Sequence, residues 1–239
     1  MARKIKIDNA IIKRRSHDEK KRLIGFKSKR MFYLIVCEGE KTEPNYFSSL
    51  KKSLPKGVLE LTQIDIDGTG KNTLSIIEEA KKLRKRYEEK YLRKIDKVWA
   101  VFDKDSFPSR NFNNAINKGE HSRPKINCAW TNEAFELWYL LHFSYYNTGL
   151  SRHQYQKLIE KEINKASGKK GYKYTKNSTE MYVLLNLFGS QNFAISNAEK
   201  LEKLYNDRSF SNHNPCTKVH LLIKELKELT EEYAAQQQI

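Results

Sequence analysis

Acidic residues stand directly behind two apolar runs. Phe32-Tyr33-Leu34-Ile35-Val36-Cys37 stops at Glu38-Gly39-Glu40, and Val98-Trp99-Ala100-Val101-Phe102 stops at Asp103-Lys104-Asp105. Short runs that are apolar throughout are expected as strands covered on both faces. In a parallel α/β sheet, ligands bind beyond the carboxyl ends of such strands. If the strand conformation continues, residues 103 and 105 project to the same side, because side chains alternate with period two. Crowded carboxylates repel one another unless a cation lies between them. Oxygen-only donors favour a hard ion, Mg²⁺ or Mn²⁺. Paired ions of that kind activate water and stabilise the leaving oxygen in phosphodiester cleavage. Either acidic segment by itself is ordinary turn composition. The combination on two buried strands, in a basic chain, points to a site acting on a polyanion.

The basic balance is large. The 239 residues carry 45 Lys and Arg against 29 Asp and Glu, a net charge of +16. Residues 1–30 hold twelve basic residues against Asp8, Asp18 and Glu19, with little apolar periodicity. They read as a basic arm. A run from Lys81 to Lys97 fits the solvated outer face of a helix. A third, Lys165–Lys176, interleaves Gly168, Gly171, Tyr172 and Tyr174. Its composition predicts a loop in which Lys169, Lys170 and Lys173 track phosphates while Tyr172 stacks on bases. The aromatic content of 11% argues for a folded protein. No apolar run reaches the roughly 20 residues of a membrane span, and the first 30 residues lack a secretory h-region. Cys37, Cys128 and Cys216 are far apart with no CxxC pair, so neither a disulfide framework nor a structural zinc site is expected, and a reducing cytoplasm is the expected address.

Strand and helix alternate from residue 31 to about 143. A helix is expected over 43–52, a strand over 58–66, and a turn at Asp67-Gly68-Thr69-Gly70-Lys71-Asn72. Leu74, Ile77, Ala80, Leu83, Tyr87 and Tyr91 mark one stripe of a helix starting near Thr73. A fourth strand is expected near 125–130, followed by a helix capped by Asn132 that carries Glu133 and Glu136 on one face. Beyond 150 the pattern is helical: Ser151 with Gln154 forms a capping box, Met181–Phe188 is amphipathic, and Asn214-Pro215 is expected to open the last helix. The predicted class is α/β, a mainly parallel sheet flanked by helices. The arm spans 1–30 and the α/β core 31–150, with a helical region, 151–239, packed on it within the same domain. Gly68-Thr69-Gly70-Lys71 lacks the spacing of an ATP-binding P-loop. It does precede a helix N-terminus, where Lys71 could help hold a substrate phosphate. Lys41 follows the first acidic turn and could neutralise a scissile phosphate. His142, among Leu140, Leu141 and Phe143, is expected as a core histidine.

Val36-Cys37-Glu38-Gly39 followed by Val101-Phe102-Asp103-Lys104-Asp105 resembles the Toprim pattern. More specifically, the chain resembles the RloB-like family. The resemblance lies in the basic arm, Cys37-Glu38-Gly39-Glu40-Lys41-Thr42-Glu43-Pro44-Asn45-Tyr46-Phe47, Phe102-Asp103-Lys104-Asp105, the stretch from Asn132 to Phe143, and Asn214-Pro215-Cys216-Thr217-Lys218-Val219-His220. It implies a Toprim-like, metal-dependent nuclease in bacterial antiviral defence, controlled by an ABC/AAA-type ATPase partner. RNA, tRNA among it, or DNA would be the substrate, and a homo-oligomer is left open. Glu38 would then be a metal ligand or general base, and Asp103 and Asp105 metal ligands. Glu43 sits where overcoming-lysogenization-defect type nucleases place a further acid, although a carboxylate there also complements a helix dipole. Glu136 would support a second metal. Asn132-Glu133 stands where many relatives carry Asn-Pro. The competing reading is a nucleic-acid-binding regulatory protein whose acidic site is structural or degenerate. A haloacid-dehalogenase-type phosphatase is disfavoured because its aspartate motif should follow the first strand.

Overall fold

The computed structural model describes residues 31–56, 58, 62–68, 75–168 and 170–237. The basic arm 1–30, Lys71 and Lys169 lie outside the described residues. Among those described, one sheet has the order β2-β1-β3-β4-β5. Its strands are β1 (Met31–Cys37), β2 (Thr62–Gly68), β3 (Lys97–Asp103), β4 (Asn127–Asn132) and β5 (Cys216–Thr217). The first four are parallel, and β5 closes one edge antiparallel to β4. Parallel neighbours need crossovers: α1 (Thr42–Ser53) joins β1 to β2, α2 (Ile76–Tyr91) joins β2 to β3, and α3 (Ser109–His121) joins β3 to β4.

The chain steps from β1 to β2 in one direction, then returns past β1 to build β3. Right-handed crossovers therefore put α1 on one face of the sheet and α2 and α3 on the other. The strand side chains divide accordingly. Tyr33, Ile35, Cys37, Trp99 and Val101 enter the core shared with α1. Leu34, Val36, Val98, Ala100 and Phe102 enter the core shared with α2 and α3. This reversal opens a crevice between the carboxyl ends of β1 and β3, the switch point of a doubly wound sheet. The later helices α4 (Glu136–Leu140), α5 (Arg152–Ser167), α6 (Met181–Phe188), α7 (Gln191–Glu202) and α8 (Val219–Gln237) fill out the α1 side. Tyr155, Ile159 and Ile163 of α5 and Val219, Leu222, Ile223 and Leu226 of α8 are buried there. The mostly parallel α/β sheet flanked by helices is thus present. No helix among the described residues is long and apolar enough to cross a membrane.

The capping box opens α5 as expected: the Ser151 hydroxyl accepts from the Gln154 N–H, and the Gln154 side chain accepts from the Ser151 N–H. Three boundaries differ from the sequence expectation. Strand β2 runs to Gly68 because all seven of its residues pair in register with β1, from Met31 with Thr62 to Cys37 with Gly68. Its length is set by its partner, so Asp67 and Gly68 belong to the strand rather than to a turn. Asn132 does not cap a helix. It ends β4 and its amide donates to the Ser211 carbonyl at 2.9 Å, so Glu133 lies in the turn before α4. Asn214-Pro215 does not open α8 either. Cys216 and Thr217 first pair with β4, tied by a 2.9 Å hydrogen bond between the Thr131 and Thr217 hydroxyls, and the helix starts at Val219.

His142 is the expected core histidine, 2% exposed, with Nδ1 2.9 Å from the Trp138 carbonyl. Gly189 lets the end of α6 close on it, since a Cβ there would lie 2.9 Å from the His142 Cβ. Burial pushes the imidazole down from 6.5 to about 4, so the folded protein keeps it neutral while the unfolded chain takes up a proton. Stability should therefore fall as pH drops from about 6.5 to 4, by up to roughly 3 kcal/mol. Urea midpoints measured across that window should show this slope, and His142→Gln should flatten it. Equal slopes in both proteins would place the acid sensitivity elsewhere.

Candidate functional site

The crevice is built first by backbone. Beyond β1 the chain follows β3 for one more residue, with the Glu38 N–H donating to the Val101 carbonyl at 2.9 Å. The Glu38 carboxylate reaches across the end of β3 and accepts from the Asp103 N–H at 3.1 Å. Gly39-Glu40-Lys41 then turns into α1, whose first turn contains Glu43, where a helix dipole favours negative charge. A Cβ on Gly39 would collide with the Glu43 carboxylate, so glycine lets Glu43 lie against the turn. Gly68 braces the same turn from β2. A Cβ there would lie 2.8 Å from the Gly39 carbonyl oxygen and 2.9 Å from Pro44 Cγ, neither of which can yield easily.

Asp103, the last residue of β3, is 6% exposed. One of its carboxylate oxygens accepts from the Phe135 N–H at 3.1 Å, which satisfies a donor at the start of α4. The same oxygen lies 3.2 Å from Nη2 of Arg152. Asp105 reaches the same guanidinium through Nη1 at 3.2 Å. The two aspartates do share a side, but by another route than the one expected. The strand ends at Asp103, and Asp105 adopts a left-handed φ of 38°, a conformation aspartate tolerates. Its N–H is held by the Glu133 carbonyl at 2.9 Å. From α4, Glu136 places one oxygen 3.6 Å from Arg152 Nε. Its other oxygen accepts from Gln156 at 3.0 Å and from the Tyr174 hydroxyl at 3.2 Å. Glu133, expected on the same helix face, is in the preceding turn and does not line the cavity.

These groups meet in one cavity of about 520 Å³. Its carboxylates are Glu38, Glu40, Glu43, Asp103, Asp105 and Glu136; its cations are Lys41, Arg152 and Lys176. Six acids face three bases. Burial pushes the Glu43 carboxyl up, and repulsion from Glu136 adds to it. Burial likewise pushes Asp103 up, Glu43 and Glu136 reinforce the shift, and Arg152 opposes it. Burial works against the charge of Arg152, but Asp103, Glu136 and Asp105 outweigh it. Beneath the site lies a rigid aromatic floor: Trp138 donates to the Tyr46 hydroxyl at 2.8 Å, and Tyr46 meets Phe135 edge-on at 5.6 Å.

The third basic run crosses near the cavity as a tethered strap. The Asn164 side-chain oxygen accepts from the N–H groups of Gly171 and Tyr172 at 3.0 and 2.9 Å. Asn177 accepts from Thr42 through its side chain and from Asn45 through its carbonyl, each at 2.9 Å. Lys176 is thereby held at the cavity, a placement not singled out from sequence. Lys41 lines it as well, whereas Lys170 and Lys173 are exposed outside it. Tyr172 is half-buried against the α1-side core. The tether through Asn164 turns it inward.

The donors are all oxygen and suit a hard divalent ion in kind. Arg152 holds the place between three of them. As placed, with Arg152 between the carboxylates, no three His, Cys, Asp or Glu side chains among the described residues are grouped so as to hold a metal ion. Sequence reasoning missed Arg152. A signal existed: it is the first residue of α5 after the Ser151 cap, where a helix dipole disfavours a cation.

Burial and the nearby Glu136 both work against the charge of Glu43. Glu43→Gln keeps the shape and removes the buried charge, so the melting temperature should rise by about 2–4 °C, the shift roughly 1 kcal/mol produces in a domain of this size. A lower melting temperature would mean that the ionised carboxylate stabilises the turn.

No curated protein and no solved structure matches the chain. The sequence model of the family described as RloB-like protein matches residues 33–226, the span that contains all of the sheet but the first two residues of β1, the cavity and every carboxylate in it. The chain belongs to the RloB-like protein family.

Proposed function

We propose that this protein is a Toprim-type, metal-dependent nuclease that hydrolyses phosphodiester bonds in RNA, with tRNA as one candidate, or in DNA. The observation that carries this reading is the acid-lined cavity at the β1/β3 switch point of a chain whose net charge is +16. A basic chain attracts a polyanion over long range. Six carboxylates at the crevice would repel the same polyanion at contact unless divalent ions stand between them. Glu38, Glu43 and Asp103 would hold Mg²⁺ or Mn²⁺, with Asp105 and Glu136 completing the set. The bound ion would supply Lewis acidity and a lowered water pKa. Glu38 is placed by its hydrogen bond to the Asp103 N–H and is also the candidate to accept the proton of the attacking water. Lys41 and Lys176 flank the carboxylates and would take the phosphate oxygens. The floor of Tyr46, Phe135 and Trp138 keeps these groups in register. The setting, antiviral defence beside an ABC/AAA-type ATPase, rests on the likeness to RloB-like proteins.

A second reading is favoured by the Arg152 bridge, which pairs with one oxygen each of Asp103, Asp105 and Glu136 without any ion. On that reading the protein binds nucleic acid as a regulator and the acids are structural. The two separate cleanly in one assay. The protein, with and without its ATPase partner, is incubated with tRNA, other RNA and DNA in Mg²⁺ or Mn²⁺. Cleavage should require the ion and fall by about 100-fold or more in Glu38→Ala and Asp103→Ala. Binding without cleavage under all these conditions would establish the regulator, and cleavage indifferent to both substitutions would place the reaction elsewhere.

A further inference from the structure

We propose that Arg152 is a built-in counter-ion that exchanges with a divalent cation at the cavity carboxylates. The proposal rests on the metal-dependent reading above and names the group of this chain that controls ion entry. One guanidinium meets acids from three separate places: Asp103 at the end of β3 at 3.2 Å, Asp105 in the turn beyond it at 3.2 Å, and Glu136 in α4 at 3.6 Å. Asp103 and Glu136 are nearly sealed from solvent, 6% and 2% exposed. Buried carboxylates at this spacing need a positive partner to stay ionised. Arg152 supplies it from a position that allows departure. It is a long, flexible side chain on the rim, 31% exposed.

Its place in the helix argues the same way. Arg152 opens α5, and the cap of that helix is already complete through Ser151 and Gln154. A cation there opposes the helix dipole and serves no capping need. Its carboxylate partners are what hold it. An incoming divalent ion would satisfy the same oxygens and repel the guanidinium at close range. The two are therefore competitors, and the arginine lowers the affinity of the site for the ion. The exchange also gives the carboxylates a partner in the ion-free protein, which lets the crevice fold before an ion is bound.

Calorimetric titration with MnCl₂ alone, no nucleic acid present, tests this on the full chain. Arg152→Gln should bind Mn²⁺ about tenfold more tightly than the unaltered protein, whereas Arg152→Lys, which keeps the charge, should stay near it. In thermal melts Arg152→Gln should be less stable without ion and should gain more from saturating Mn²⁺ than the unaltered protein gains. If Arg152→Gln does not fold without ion, recovery of the folded protein on refolding in Mn²⁺ supports the exchange, and failure to recover overturns it. Equal or weaker Mn²⁺ binding by Arg152→Gln overturns the exchange and leaves the metal site standing. No heat and no melting shift in any of the three proteins removes the metal site and the exchange together.

Discussion

Like charges brought together out of water must be compensated, and that constraint organises this molecule. Six carboxylates line one crevice, and three of them, Glu43, Asp103 and Glu136, are nearly inaccessible. The fold supplies one close cation, Arg152, and two more at the cavity, Lys41 and Lys176. The shortfall is the physical content of the site. Among the described residues, six acids at the crevice face three cations. Evolution rarely retains buried, mutually repelling acids for stability, because apolar packing of the same volume usually serves better.

The scaffold is arranged to hold that crowding still. The reversal of strand order places β1 beside β3, so Glu38 and Asp103 face each other although they are 65 residues apart in the chain. Gly68 lets the end of β2 press against the Gly39 turn, and β2 pairs with β1 along its full length. Below, Tyr46, Phe135, Tyr139 and Trp138 interlock through edge-on ring contacts and one buried hydrogen bond. Above, the strap tethered at Asn164 and Asn177 keeps Lys176 in place. Each support belongs to a regular element or is pinned by a hydrogen bond, which is what a site needs if its groups are to act together.

Charge is distributed on two scales. Over the whole chain it is strongly positive, which draws polyanions from a distance. Within the crevice it is negative, which resists direct contact with phosphate. A divalent ion would reconcile the two scales, and the guanidinium already in the crevice reconciles them partly. The nuclease reading and the Arg152 exchange follow from this one opposition of signs. The regulator reading follows if the guanidinium is a permanent occupant.

The sequence by itself determined the strands and the acids behind them. Unbroken apolar runs at 32–37 and 98–102 admit few alternatives to buried parallel strands, and residues directly after such strands must sit at the sheet's carboxyl edge. Helix α5 was legible down to its capping box, because caps are local. The boundaries of β2 and α8 were not, since pairing with β1 and β4 set them. Nor was the left-handed turn at Asp105, which depends on the Glu133 carbonyl. That the Tyr172 ring packs half-buried against the α1-side core was not legible either, because Asn164 holds its backbone from α5. Only the tertiary structure decided that Arg152 closes the carboxylate cluster and that Lys176 joins it. Arg152 lies 49 residues from Asp103 in the chain, and an ion pair across that separation leaves no periodicity for a sequence to display.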